Sequence, residues 1–213
     1  MKHKSPDDPG SSLTKKDTAQ EEGLLETIKK AKAGDDLAFH KLVDKYKAQV
    51  ASIAYKMVGN YEDAKDISQI VFVKTYQNLY RFDTTKKLST WLYRITINAS
   101  IDFIRKHRKH RHETLDQMGT EIKEKKEDVE KTYRRNLIKW AIRNAMDVLN
   151  PKQKSVFVLR DLQGLDIKEV AQITGMPQAT VRWYLHRARS KLRDELTKHY
   201  SEVIEGTDLK YGL

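Results

Sequence analysis

The chain has 213 residues, a formal net charge of +11 and no cysteine, with a pI of about 9.6. That length allows one domain or two small ones, the charge points to a polyanionic partner, and the lack of thiols excludes disulfides and thiolate metal sites. No apolar run approaches the length of a membrane span, and the N-terminal MKHKSPDDPGSSLTKKD lacks the apolar centre of a signal peptide, so a cytoplasmic protein with no membrane insertion is expected.

Glycine and proline are scarce, and nothing resembles a series of hairpins. The expected fold is all-α: two small helical domains joined by a flexible charged linker, the second containing a helix-turn-helix. Residues 1–20 are polar and read as a disordered tail. A domain over 21–106 opens with a helix from Glu21 to Ala33 that buries Leu24, Leu25, Ile28 and Ala31, and Gly34 ends it. Asp35 and Asp36 offer N-caps for a helix over 37–58, whose apolar stripe runs through Phe39, Leu42, Val43, Tyr46, Val50, Ile53, Ala54 and Met57. Gly59-Asn60 closes it and caps the next.

The helix over 61–79 turns Ala64, Ile67, Val71 and Tyr76 inward. Ile70, Phe72 and Val73 widen its apolar surface beyond one stripe, which fits either a surrounding set of helices or a docked partner. Asp63, Asp66 and Gln69 lie on neighbouring faces. The loop YRFDTTKKL, 80–88, mixes aromatics with Lys86 and Lys87. Ser89 is placed to cap a helix over 90–106 with Trp91, Leu92, Ile95, Ala99, Phe103 and Ile104 on its core side. Rings beside cations are the means of holding single-stranded DNA, since bases stack on rings while cations hold phosphates; Phe82 and Trp91 fit that role or the core.

The run RKHRKHRH, 105–112, can hold backbone phosphates. Its histidines, His107, His110 and His112, have no acid or cysteine ligand in the run, so no metal is expected. The charged linker spans 107–132. The second domain covers 133–198, with Leu137, Ile138, Ala141, Ile142, Ala145 and Leu149 as the apolar face of its first helix; 199–213 form a tail. Asn150 and Pro151 start the next helix, which ends near Gly164. A short helix follows over Ile167 to Thr174, stopped by Gly175, and Pro177 restarts the chain. Small Ala171, Gly175 in the turn and inward Val181 are the spacing of a helix-turn-helix at 167–187. The last helix buries Val181, Leu185, Ala188, Leu192 and Leu196. Its other face carries Arg182, His186, Arg187, Arg189, Lys191 and Arg193, and no acid falls between Gln178 and Arg193. Such a helix is shaped for a major groove.

In this order the segments DAKDISQIVFVKTYQNL (63–79), LSTWLYRITINASIDFIRK (88–106) and LNPKQKSVFVLRDLQGLDIKEVAQITGMPQATVRWYLHRARSKLRDEL (149–196) resemble a bacterial RNA polymerase sigma factor of the extracytoplasmic-function type, over residues 20–198. The resemblance implies a non-enzymatic initiation factor without cofactor or metal, whose partners are core RNA polymerase, promoter DNA and an anti-sigma factor. By this resemblance Asp63, Asp66, Gln69 and Phe72 dock on the clamp helices of the largest polymerase subunit, although Lys65 and Ile70 stand where acids are common. The loop 80–88, with Phe82, Lys86 and Lys87, and Trp91 capture a base flipped from the −10 element and hold the strands open. Asn98, Asp102 and Arg105 meet the −10 region. Arg182, Trp183, His186 and Arg187 face the −35 element, and arginine on guanine is the most dependable contact type among them.

Two other readings compete. A stand-alone helix-turn-helix regulator would bind duplex DNA by itself and needs a dimer surface or sensor domain. A recombinase or nuclease needs a nucleophile with clustered arginines, or metal-binding carboxylates; Ser89 beside Arg94 is not such a cluster.

Overall fold

A computed structural model describes residues 15–107 and 129–204, with side chains from 22 to 107 and from 133 to 203. Every regular element among them is helical. Four helices build the N-terminal part: α1 (Lys15–Lys32), α2 (Asp36–Val58), α3 (Tyr61–Asn78) and α4 (Leu88–His107). Five follow: α5 (Val129–Ala145), α6 (Pro151–Phe157), α7 (Ile167–Thr174), α8 (Gln178–His199) and the short α9 (Ser201–Ile204).

Local chemistry sets most boundaries. The Asp35 carboxylate accepts from the Ala38 N–H at 3.0 Å and starts α2. Gly59, at φ 81°, ends it in the left-handed region, where a side chain would be strained. The Asn60 side chain then accepts from the Asp63 N–H at 3.1 Å. α6 opens with a reciprocal capping box between Asn150 and Gln153, and α7 with one between Asp166 and Glu169; each satisfies two amides that the first turn leaves unpaired.

Three boundaries differ from the sequence expectation. α1 begins at Lys15, so 15–20 are helix rather than tail; KKDTAQ contains no helix breaker, and residues 1–14 lie outside the described part. α4 begins at Leu88, which puts Ser89 inside the helix rather than at its cap. α5 begins at Val129, inside the segment read as linker, of which 108–128 lies outside the described residues. Between α6 and α7 the chain winds through a π turn, Val158–Leu162.

In the N-terminal core Leu42, Val50, Ile53, Ala54 and Met57 of α2 pack with Ile67 and Val71 of α3 and Leu92 of α4. Leu25 is exposed and Tyr76 points outward, while Thr75 takes the inward position; its hydroxyl is satisfied by the Val71 carbonyl at 2.7 Å. α4 also buries Thr96, Ile97 and Ser100, off the stripe the sequence suggested. The reason is that α4 packs on α2 and α3 and, on another side, against α7 and α6. In the C-terminal core Phe157, Leu159, Val170 and Ile173 meet Val181, Leu185, Ala188, Leu192 and Leu196 of α8.

The two parts touch along a polar seam. On the α2 side, Lys56 Nζ donates to the Leu162 carbonyl at 3.0 Å, Ser52 Oγ accepts from Gln163 Nε2 at 3.2 Å, and the Tyr55 hydroxyl accepts from the Arg143 guanidinium. On the α4 side, Arg94 Nε donates to the Ile173 carbonyl at 3.2 Å and its Nη2 to the Gln172 carbonyl. Lys87 Nζ lies 3.5 Å from Glu169 Oε1.

Candidate nucleic-acid interface

α8 provides the first surface. Gly175, at φ 71°, makes the turn, and its N–H donates to the Ala171 carbonyl at 2.9 Å. Pro177 then stands at the N-cap of α8. With Val181 and Leu185 held inside, Arg182, Trp183, His186 and Arg187 all face solvent, Trp183 being 56% exposed. The Arg187 guanidinium lies 5.9 Å from the centroid of the Trp183 ring, a cation–π arrangement that orders both side chains. The Arg182 guanidinium reaches Gln178 Oε1 at 3.5 Å.

Arg189 leaves the expected set. It is half-buried, and its guanidinium holds the Asp161 carboxylate with Nη2 to Oδ1 at 2.6 Å and Nε to Oδ2 at 2.9 Å. The bonded carboxylate holds Arg189 more firmly charged than usual. Its charge is spent inside the fold, and Asp161, 28 positions away, could not be paired with it by reading one helix.

The loop before α4 and the outer face of α4 form the second surface. Phe82 is only 5% exposed and its ring packs on Trp91 at 5.2 Å. It is therefore the floor of the loop and not an open stacking platform, and Trp91 is half-buried above it. The exposed ring is Tyr80, at 58%, with the Arg81 guanidinium 4.9 Å from its centroid. The loop sequence YRF contained this residue, but pattern alone cannot say which of two aromatics two positions apart turns inward.

The loop is pre-shaped by its own hydrogen bonds. Asp83 Oδ1 accepts from the Thr85 N–H at 3.0 Å and from the Thr85 hydroxyl at 2.7 Å. These bonds hold the Asp83 carboxyl below its ordinary pKa. Lys32 at the end of α1 donates to the Phe82 carbonyl at 2.5 Å, which ties α1 to the loop. Lys86 and Lys87 are exposed; Lys86 lies 3.6 Å from Asp83, and Lys87 belongs to the seam. Asn98, Asp102 and Arg105 are exposed at helical steps of four and three, so they share one face of α4.

At the end of α4 the His107 ring stacks on Phe103 at 4.0 Å. His110 and His112 lie outside the described residues. Among the described residues no group of histidines and carboxylates is placed to hold a metal ion, and no helix is long and apolar enough to cross a membrane.

α3 carries the third surface. Asp66 and Gln69 are exposed, and Asp63 and Phe72 are half-buried. Ile70 is 45% and Val73 55% exposed, which answers the question the sequence left open: the widened apolar face of α3 is not covered by other helices of this chain. Tyr76 borders it, held outward by a 2.9 Å hydrogen bond from its hydroxyl to Asp36 and by an edge contact with Phe39. Acid, amide and open aliphatic groups on one helix make a mixed docking face.

Comparison with known proteins agrees with these three surfaces. The sigma-70 region 2 family model matches residues 42–110, and the sigma-70 region 4 model matches 139–192. The chain is 34% identical over 180 residues to the ECF RNA polymerase sigma factor SigW of Bacillus subtilis, covering 81% of this chain and 96% of that protein. Its fold is similar to that of CnrH bound to the cytosolic domain of CnrY, with a TM-score of 0.61 at 23% identity, over 82% of this chain and 97% of that one. It is also similar to the sigma factor RpoE bound to the anti-sigma factor NepR from Bartonella quintana, with a TM-score of 0.58 at 18% identity, over 75% and 96% of the two chains.

Proposed function

The chain belongs to the extracytoplasmic-function (ECF) RNA polymerase sigma factors, which direct promoter-specific transcription initiation by core polymerase, and from that premise we propose how its surfaces divide the work. Asp63, Asp66, Gln69 and Phe72, joined by the open Ile70 and Val73, take the clamp helices of the largest polymerase subunit. Lys86, Lys87, Trp91, Asn98, Asp102 and Arg105 serve the −10 element and strand opening, with Tyr80 as the stacking ring and Phe82 as the support beneath. Arg182, Trp183, His186 and Arg187 serve the −35 element. The observation that carries the assignment is the exposure of all three groups on separate faces of helices whose opposite faces are core.

The physical logic is tethering. Each domain alone binds DNA weakly, and holding both on one polymerase raises the effective concentration of the second contact. Extruding a −10 base costs a few kcal/mol, which stacking on Tyr80 and phosphate contacts to the lysines offset. The factor has no active site of its own and acts in the cytoplasm, where polymerase and DNA meet. An anti-sigma factor is a fitting regulator, because the similar RpoE fold binds one, NepR.

The test is reconstitution. The purified chain is mixed with bacterial core RNA polymerase and fragmented genomic DNA, and the transcripts are sequenced. Defined start sites that share two upstream motifs are expected. Sequence-specific duplex binding by the free chain without polymerase binding or transcripts would instead favour a stand-alone regulator, and magnesium-dependent strand cleavage would favour an enzyme.

A further inference from the structure

The seam between the two domains joins the elements that carry the two DNA surfaces. α4 bears Asn98, Asp102 and Arg105, and α7 is the first helix of the helix-turn-helix that ends in α8. Arg94 donates from α4 to the Gln172 and Ile173 carbonyls, which belong to the last turn of α7, where a helix leaves its carbonyls without internal partners. A cation at that end is also favoured by the helix dipole. Lys56 does the same for the Leu162 carbonyl at the end of the π turn, and burial there lowers its pKa. Ser52, Tyr55 and Lys56 are spaced by three and one along α2, so they lie on one side of that helix. Lys87, one of the cations assigned to the −10 element, faces Glu169 of α7.

We propose that the α2–α4 face made by Ser52, Tyr55, Lys56, Lys87 and Arg94 is a docking surface for the chain's own helix-turn-helix domain, closed in the free factor and released when the factor engages polymerase and promoter. The proposal rests on the sigma-factor reading for what opens the seam, though not for the seam itself. Distance is the main argument. Helices in contact lie about 10 Å apart, and α4 at 20 residues is about 30 Å long. Promoter elements two helical turns apart are separated by about 70 Å along the duplex. A domain pair in contact along α4 and α7 cannot present one surface to each element. The roughly twenty residues from 108 to 128 supply the reach, since an extended chain of that length spans up to about 70 Å.

The composition of the seam suits release. Its named contacts are hydrogen bonds and one exposed ion pair, the type of interface that separates readily. DNA phosphate competes directly with Glu169 for Lys87. The closed state therefore withholds one −10 cation and fixes the two DNA surfaces at the wrong separation until a stronger partner intervenes.

The chain has no cysteine, so dyes can be attached uniquely at Gln49→Cys and Lys168→Cys, exposed positions outside the assigned surfaces. Energy transfer between them is measured in the free chain, with core RNA polymerase added, and in the triple variant Lys56→Ala, Arg94→Ala, Gln163→Ala. High transfer is expected in the free wild type, with loss on polymerase binding and loss in the variant without polymerase. If about nine in ten free molecules are closed, the variant should also bind polymerase about tenfold more tightly. Circular dichroism checks its helix content, and the double variant Lys56→Ala, Arg94→Ala is read the same way should the triple one lose structure. Transfer as low in the free wild type as in the variants, transfer as high in the variants as in the wild type, or high transfer that persists on polymerase overturns the proposal. Failure to bind polymerase at all counts against the sigma-factor reading, while the free wild-type and variant values still decide the seam.

Discussion

Arg189 of α8 and Asp161 of the π turn face each other in a two-bond fork, with donor–acceptor distances of 2.6 and 2.9 Å. The pair fixes the recognition helix to the helix before the turn, at a point where the recognition helix has already passed its DNA-facing residues. A bidentate arginine–carboxylate pair is stronger and more directional than a single bond. With the arginine about one-third exposed, solvent screening reduces its worth. Arg189→Ala should destabilise the C-terminal domain by about 1–2 kcal/mol, and Arg189→Lys should recover only part, because an ammonium cannot make the fork. Urea unfolding followed by circular dichroism measures both. Equal stability of wild type and Arg189→Ala would mean that core packing alone orients α8.

The two partner surfaces are separable. Arg187→Ala should weaken −35-dependent transcription by about tenfold, the effect of one lost base or phosphate contact of roughly 1–3 kcal/mol, and leave polymerase affinity unchanged. Val73→Asp should do the reverse, since Val73 is an open aliphatic group on α3 and not part of the core. Fluorescence anisotropy with core polymerase and run-off transcription separate the two. A loss of polymerase affinity in Arg187→Ala would show that the surfaces have been misassigned.

Tyr80 and Phe82 should fail in different ways. Tyr80→Ala removes an exposed ring, so promoter opening should drop by about tenfold, within the roughly 1–3 kcal/mol of a lost base stack, with no change in thermal stability. Phe82→Ala empties a buried site beside Trp91 and should cost about 3–5 kcal/mol of stability. Permanganate reactivity of opened thymines reads the first and thermal unfolding the second. Intact stability in Phe82→Ala would return its ring to the DNA-contacting set.

The loop should also depend on acidity in a definite direction. Hydrogen bonds from Thr85 hold Asp83 below its ordinary value of 3.8. A carboxylate depressed in the folded state contributes fully above the unfolded value and is lost as pH falls through the folded one. Protection of the Thr85 amide from exchange, followed by NMR, should thus hold above about pH 4 and fall below it. Asp83→Asn should flatten that dependence, and an unchanged profile in the variant would assign the effect to another group.

The helix-turn-helix was legible in the sequence because each of its determinants is local. Asp166 and Glu169 cap α7, Gly175 alone tolerates the turn, and Val181, Leu185, Ala188, Leu192 and Leu196 repeat at helical spacing. The same holds for the limits of α2 and α3, written in Asp35, Gly59 and Asn60. The tertiary structure alone decided which residues of similar type would be spent inside. Arg189 and Arg187 look alike along α8, yet only Arg189 meets Asp161. Phe82 and Tyr80 look alike in the loop, yet only Phe82 lies against Trp91. α4 buries Thr96, Ile97 and Ser100 because a second domain rests on it, and Arg94 is a surface cation until α7 brings two carbonyls to it. Spacing along one helix encodes which side faces in, but a partner that arrives from 28 or 79 positions away leaves no period in the sequence to read.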